Sequence, residues 1–275
     1  MTGKVFRPAC LAELWPLLAD GARPMAGGTD LLAAARRHGP CDVALLEGIP
    51  GLDGVGVENG HVRLGAMTTH AELVRHPVVR QHLPVLAQAL AVLGSPLVRN
   101  MGTIGGNLAT ASPAGDTLPP LYVLNAQVEV SSQEGVRLAP IGELLLGPGR
   151  TALAPGHLIT AVHIPLPPTG GLHHFEKVGR RDALAIAVAS LAAIIVLDGD
   201  GRVAEARIAV GSVAPTVVRC HEAQARLLGR RLDREALAEA GGAVRRAVSP
   251  IDDIRATAAY RRKVAGNLLL RMAGR

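Results

Sequence analysis

Two glycine-pair segments, lying far apart along the chain, constrain this fold most: Ala26-Gly27-Gly28-Thr29-Asp30 and Gly102-Thr103-Ile104-Gly105-Gly106-Asn107. Each presents consecutive backbone N–H groups with little side chain in the way, beside a threonine hydroxyl. Such a turn forms a small concave site for anionic oxygen. A tight turn without a ligand explains either segment taken alone. Two of the same make, with Thr29 and Asp30 beside one and Thr103 and Asn107 beside the other, predict two protein surfaces that grip one diphosphate from both sides.

The common phosphate-binding alternatives do not fit. The chain has no GxxxxGKS or GxxxxGKT and no GxGxxG. Gly147-Pro148-Gly149-Arg150-Thr151-Ala152 approaches GxGxxA, but Pro155 follows where a dinucleotide-fold helix would continue. No Ser/His/Asp order, paired-carboxylate motif or HExxH stands out, so no catalytic residue is assigned. Chemistry here would be carried by a bound cofactor.

With 275 residues, 48% of them hydrophobic, the chain is long enough for about two domains with real cores. Its net charge of +6 is concentrated late, at Arg230, Arg231, Arg245, Arg246, Arg261, Arg262 and Lys263. A solvated basic face is the plain reading, and a docking face for an acidic partner the sharper one. Nucleic acid is not expected, because two Phe, two Tyr and one Trp provide few stacking platforms. Cys10, Cys41 and Cys220 share no CxxC spacing, so no metal or cluster is held, and the odd, sparse count fits the cytoplasm. The start lacks the apolar core of a signal peptide. The longest apolar run, 183–197, is too short to span a membrane and ends in the turn Asp198-Gly199-Asp200-Gly201.

Along the chain, residues 10–20 have helical spacing, Leu31 to Arg37 a short helix, and Val43 to Leu46 a strand. His61 to Ala66 alternates as a strand, and Thr69-His70-Ala71-Glu72 is a capping box that leaves His70 facing solvent. A helix over 78–93 is interrupted near Pro84. Pro119 and Pro120 suit a first helical turn, and residues 126–166 alternate strands with turns. Residues 166–171 form the best linker. Strands near 186–197 and 202–212 flank the Asp-Gly turn, and helices follow near 220–229, 233–248 and 256–273. Asp116 reads as a helix cap or an acceptor for ligand hydroxyls. Lys177, Arg180 and Arg181 are solvated charge or a clamp.

AGGTDLL at 26–32, RNMGTIGGNLATASPAGDTLPP at 99–120, FEKVGRRDALAIA at 175–187 and SPIDDIRATAAYRR at 249–262 resemble the FAD-binding subunits of molybdenum hydroxylases, the medium subunits of carbon monoxide and xanthine dehydrogenase-type enzymes. The resemblance covers nearly the whole chain. It implies an α+β fold: an N-terminal FAD-binding region of the PCMH type at 1–168, in two α/β subdomains of about 1–57 and 58–168, then a C-terminal α+β domain at 172–275 with a small antiparallel sheet and helices. FAD would lie between the subdomains. By motif position it would be lined by Met25, Ala26, Gly27, Gly28, Thr29, Asp30, Leu31, Thr103, Ile104, Gly105, Gly106 and Asn107. Asp116, Lys177, Leu93 and Ile159 would add further contacts.

The resemblance also implies an iron–sulfur small subunit with [2Fe-2S] clusters and a molybdopterin large subunit as partners, assembled as a dimer of heterotrimers. Electrons would pass from molybdenum through the clusters to this FAD and on to an external acceptor. A free-standing FAD-dependent oxidoreductase and a non-catalytic assembly module are the rival readings. Ala185 stands where some relatives carry a tyrosine over the flavin, and Leu144-Leu145 where many carry aromatics.

Overall fold

The computed structural model describes residues 3–181 and 184–273. Asp182 and Ala183, inside the third motif above, lie outside the described residues. Chain contacts divide the molecule into two compact units, each assembled from three segments. The first holds 1–78, 95–111 and 126–165; the second holds 79–94, 112–125 and 166–275. Two short stretches on the near side of the 166–171 linker therefore pack with the later residues.

In the first unit, Val5–Phe6, Val43–Leu45 and Arg23–Met25 form a three-stranded parallel sheet with Val43–Leu45 in the middle. Parallel neighbours need crossovers, and the helix Leu11–Ala19 supplies the first of them. Leu14 and Leu18 from that helix pack with Ala44, Leu46, Ile49 and Leu52 in a small core. Pro16 sits inside the helix. A five-stranded antiparallel sheet follows, in the order Val55–Glu58, His61–Gly65, Leu158–Pro165, Gln127–Ser132, Gly135–Pro140. Its middle strand is the last of the five in sequence, and it carries a bulge between Ile159 and Ala161 opposite Val130 and Glu129. The extra residue, Thr160, donates to Glu129 Oε1 at 2.6 Å and shares a 2.8 Å bond with Ser131.

The capping box forms in both directions: Glu72 N–H donates to Thr69 Oγ1 and Thr69 N–H donates to Glu72 Oε2. His70 departs from its expected place on that turn. It is 3% exposed, packed inward rather than facing solvent.

In the second unit, Leu172–Val178, Ala189–Leu197, Val203–Gly211 and Val218–Arg219 form a four-stranded antiparallel sheet. The helices His221–Leu227, Arg234–Ala247 and Ala258–Leu268 share one core with it. The strand Ala189–Leu197 is buried along most of its length, which explains its long apolar run. The Asp-Gly turn is stabilised as an Asx turn: Asp198 Oδ1 accepts from Asp200 N at 3.0 Å and from Arg202 N at 2.8 Å. The helix Pro84–Val92 belongs to this unit, and Gln88 on it satisfies an edge strand. Its Nε2 donates to His173 O, and its Oε1 accepts from Phe175 N–H. The helix Leu118–Val123 carries Pro119 and Pro120 in its first turn, as expected, and Arg219 donates to its Tyr122 carbonyl. The polar strand Leu172–Val178 was not expected from sequence; its charged side chains mask the alternation.

Candidate functional site

The first glycine segment leaves the strand Arg23–Met25 and turns at Gly28, whose φ of +69° favours glycine. The helix Leu31–His38 then starts without a side-chain cap. Asp30 is not used as one, because its Oδ2 accepts from Thr110 Oγ1 at 2.8 Å. Among the described residues, the N–H groups of Gly27, Gly28 and Thr29 have no intramolecular acceptor. They border the start of an uncapped helix, where orphan donors and the dipole favour an anion.

The second segment is helical rather than looped. Ser95 caps the helix Pro96–Met101, Gly102 ends it, and Thr103 caps the next helix, Ile104–Thr110. Its N–H groups are largely consumed within the protein. Gly102 donates to Val98 O, Ile104 to Thr68 O, Gly105 to Ala66 O, Gly106 to Thr103 Oγ1 and Asn107 to Thr103 O. The two segments are therefore not equivalent amide cradles: the unpartnered N–H groups lie in the first, and those of the second are bonded within the protein. Gly105 permits close packing, since a Cβ there would sit 2.6 Å from the Ala66 Cβ. At Gly106 a Cβ would meet only Thr103 Oγ1, at 3.0 Å.

The two segments do come together, within the first unit. A Cβ on Gly27 would fall 1.6 Å from the Met101 carbonyl oxygen, so the backbones touch directly. The Asp30–Thr110 bond ties the same pair of elements. Beside them lies an apolar cleft lined by Ala26, Gly105, Gly106 and Ile159, together with Pro24, Leu46, Ala66, Met67, Ala109, Leu153, His157 and Leu158. The bulge in the middle strand aims Ile159 into it. Met25, Gly27, Gly28, Thr29, Asp30, Leu31, Thr103, Ile104 and Asn107 flank this cleft in sequence without lining it. Sequence reasoning missed its apolar wall, because single Pro, Ala and Leu residues in turns carry no distinguishing pattern. Sequence reasoning also missed Thr110; only its 2.8 Å bond to Asp30 gives it a role.

Beneath the second segment, His70 N–H donates to Gly102 O at 2.9 Å. Burial, with the Arg99 charge adding to it, pulls the His70 imidazole down to about 4, so the ring is neutral near pH 7.

Leu93, Asp116 and Lys177 belong to the second unit. Leu93 is buried at the end of the helix Pro84–Val92. Asp116 sits in a turn in which Gly115 N donates to Ser112 O and the Pro113 carbonyl accepts from Ser212 N. Lys177 Nζ lies 2.5 Å from Asp116 Oδ2 and also donates to Ala185 O at 3.3 Å. Both side chains are nearly buried. Burial pushes the Asp116 carboxyl above the ordinary aspartate range, and Lys177 opposes that rise. The other carboxyl oxygen, Oδ1, is buried with no partner among the described residues. A buried acceptor left open costs free energy unless a ligand donor meets it.

No group of three or more His, Cys, Asp or Glu among the described residues could hold a metal ion. Among the described residues, no helix is long and apolar enough to cross a membrane.

The chain is similar to known proteins over nearly its whole length. Residues 1–167 match the family described as the FAD binding domain in molybdopterin dehydrogenase, and residues 173–275 match the CO dehydrogenase flavoprotein C-terminal domain. The carbon monoxide dehydrogenase medium chain of Afipia carboxidovorans is 34% identical over 98% of this chain and 94% of its own. The xanthine dehydrogenase FAD-binding subunit of Escherichia coli O157:H7 is 33% identical over 93% and 89%. The solved structure of reconstituted CO dehydrogenase from Oligotropha carboxidovorans superimposes with a TM-score of 0.94 at 33% identity, over 98% of this chain and 96% of that one.

Proposed function

Because the chain belongs to the family of FAD-binding subunits of molybdopterin dehydrogenases, we propose that it is the electron-transfer flavoprotein of a heteromeric molybdenum hydroxylase. In this reading it accepts electrons from [2Fe-2S] clusters of a small partner subunit and passes them to an external acceptor. The molybdopterin large subunit hydroxylates the substrate, and the complex is a dimer of heterotrimers in the cytoplasm. The sparse, unpaired cysteines support that compartment.

Bound FAD supplies the coupling of two-electron and one-electron chemistry. The rest is the work of this chain's residues. The open N–H groups of Gly27, Gly28 and Thr29 donate to pyrophosphate oxygens, with Met25, Ala26, Asp30 and Leu31 shaping the turn. Gly106 keeps side-chain bulk out of the cleft, while Thr103, Ile104, Gly105 and Asn107 fix the helix that carries it. Ile159 contributes apolar cover. Asp116 Oδ1 accepts a hydrogen bond from a ligand hydroxyl or ring N–H, Lys177 orients that carboxylate, and Leu93 adds an apolar contact.

The observation that carries this reading is the row of unpartnered amides at the first glycine pair beside a cleft that Gly106 leaves open. The test is anaerobic addition of the reduced iron–sulfur subunit to the FAD-loaded chain. Stoichiometric bleaching of the flavin band is expected. Bleaching by small substrates or NADH alone, with none by the iron–sulfur subunit, would make the chain a free-standing oxidoreductase. A chain that stays colourless after FAD addition would make it an assembly module.

A further inference from the structure

The bulge in the strand Leu158–Pro165 is locked from both sides. A bulge leaves its extra residue without a ladder partner, which makes it the place where a strand can slip. Side chains alternate between the faces of a sheet, so a slip of one residue would carry Ile159 from the cleft to the opposite face. The extra residue here is Thr160, and it is 3% exposed.

Its hydroxyl hydrogen goes to Glu129 Oε1, at 2.6 Å. A hydroxyl has a single hydrogen, so the 2.8 Å bond between Thr160 Oγ1 and Ser131 Oγ is donated by Ser131, itself 4% exposed. The other carboxylate oxygen, Glu129 Oε2, accepts from His163 Nε2 at 2.8 Å. Burial alone would raise the Glu129 carboxyl, but the bonds from Thr160 and His163 hold it below the ordinary glutamate range. Near neutral pH it is therefore a carboxylate and only accepts. The result is a directed chain from Ser131 to Thr160 to Glu129, with His163 bracing the far oxygen. Bonds of this kind, to a charged acceptor, are stronger than those between neutral groups.

The main chain of the same residue reaches elsewhere. Thr160 O accepts from Ala66 N at 3.0 Å, and Ala66 O accepts from Gly105 N at 2.9 Å. Leu158, Ile159, Ala66, Gly105 and Gly106 all line the cleft. The strand Leu158–Pro165, the turn at Ala66 and the helix Ile104–Thr110 are thus joined through residue 160, and each contributes a wall. A buried, fully directed set of bonds at such a junction fixes one arrangement of the groups around it.

We propose that Thr160 is a positioning residue for the cofactor cleft: its hydroxyl, clasped by Glu129, fixes the register of the bulge and so holds Ile159 against the bound dinucleotide. This rests on the FAD reading above. The test compares the full chain with Thr160→Val, which removes the hydroxyl and keeps the shape. FAD affinity is read by fluorescence quenching, and amide hydrogen exchange is followed in the unloaded protein. Thr160→Val should bind FAD at least about fivefold more weakly, as expected for the loss of one hydrogen bond, and its Ala66 amide should exchange faster. Thr160→Ser restores the donor and should bind within about twofold of wild type. Val128→Ala, a buried change on the neighbouring strand and outside the clasp, should lower Tm and leave affinity unchanged. Thr160→Ala serves if the valine variant does not fold.

An Ala66 amide that exchanges in Thr160→Val as it does in wild type would overturn the proposal. So would an affinity loss that Val128→Ala shares in proportion to its Tm, because the hydroxyl would then serve only the stability of the sheet. A wild-type chain that takes up no FAD would fail the cofactor reading, and the proposal with it. A wild type that binds FAD while Thr160→Val binds it equally well would fail only the clasp.

Discussion

Replacing Gly106 by alanine adds one methyl group at a point where folding and ligand binding pull in opposite directions. Gly106 lies in the first turn of the helix Ile104–Thr110, and its φ is not in the left-handed region. Alanine in a helix is favoured over glycine by about 0.5–1 kcal/mol. The added carbon meets only the Thr103 hydroxyl, at 3.0 Å, which takes back a few tenths. The ligand-free protein should therefore be as stable as wild type or slightly more so.

Gly106 also lines the cleft, so bulk added there would narrow it. Overfilling a well-fitted site costs about 1–3 kcal/mol, which corresponds to roughly 5- to 150-fold in affinity. Valine should abolish FAD retention. Urea denaturation of the ligand-free chain and FAD titration by fluorescence quenching measure the two halves separately. The neighbouring Gly105→Ala is the contrast: its Cβ would press on Ala66 at 2.6 Å, so it should lower stability itself. If Gly106→Ala binds FAD within about twofold of wild type, the cleft is not the cofactor seat and the reasoning from cavity shape fails.

His70 should make stability depend on pH. Its folded-state value of about 4 lies below the ordinary 6.5, so the unfolded chain binds the extra proton first. The contribution is complete above pH 6.5 and is lost as pH falls toward 4, by at most about 3 kcal/mol. Denaturant midpoints across that range should flatten in His70→Leu; an unchanged slope would show that another group titrates. Arg261→Met should leave the Val188 and Ser212 carbonyls buried without their donor, at about 1–3 kcal/mol each. A thermal melt within error of wild type would show that water replaces the guanidinium.

Local chemistry was legible where the signal is short-range. Thr69 and Glu72 announced their cap, Pro84 its helix break, and Asp198 its turn, because each acts on backbone within four residues. The four motif segments were legible as a resemblance to the family. What the letters could not reveal depends on distant partners. The amides of Ile104 and Gly105 are spent on the carbonyls of Thr68 and Ala66, which follow the strand His61–Gly65 some forty residues earlier in sequence. His70 reads as an exposed helix-start residue until the segment after Met101 folds over it. The helix Pro96–Met101 had a readable start in Ser95-Pro96, but its exposed apolar residues gave it no amphipathic signature.

The strand Leu158–Pro165 has a consequence for how the protein is made. It is the keystone of the five-stranded sheet, flanked by His61–Gly65 and Gln127–Ser132, yet the ribosome delivers it after both. At about 5–20 residues per second, the earlier of those neighbours waits roughly 5–20 s with one edge bare. Nascent chains stalled before residue 158 should therefore be the ones that chaperones hold, and release should coincide with emergence of that single stretch.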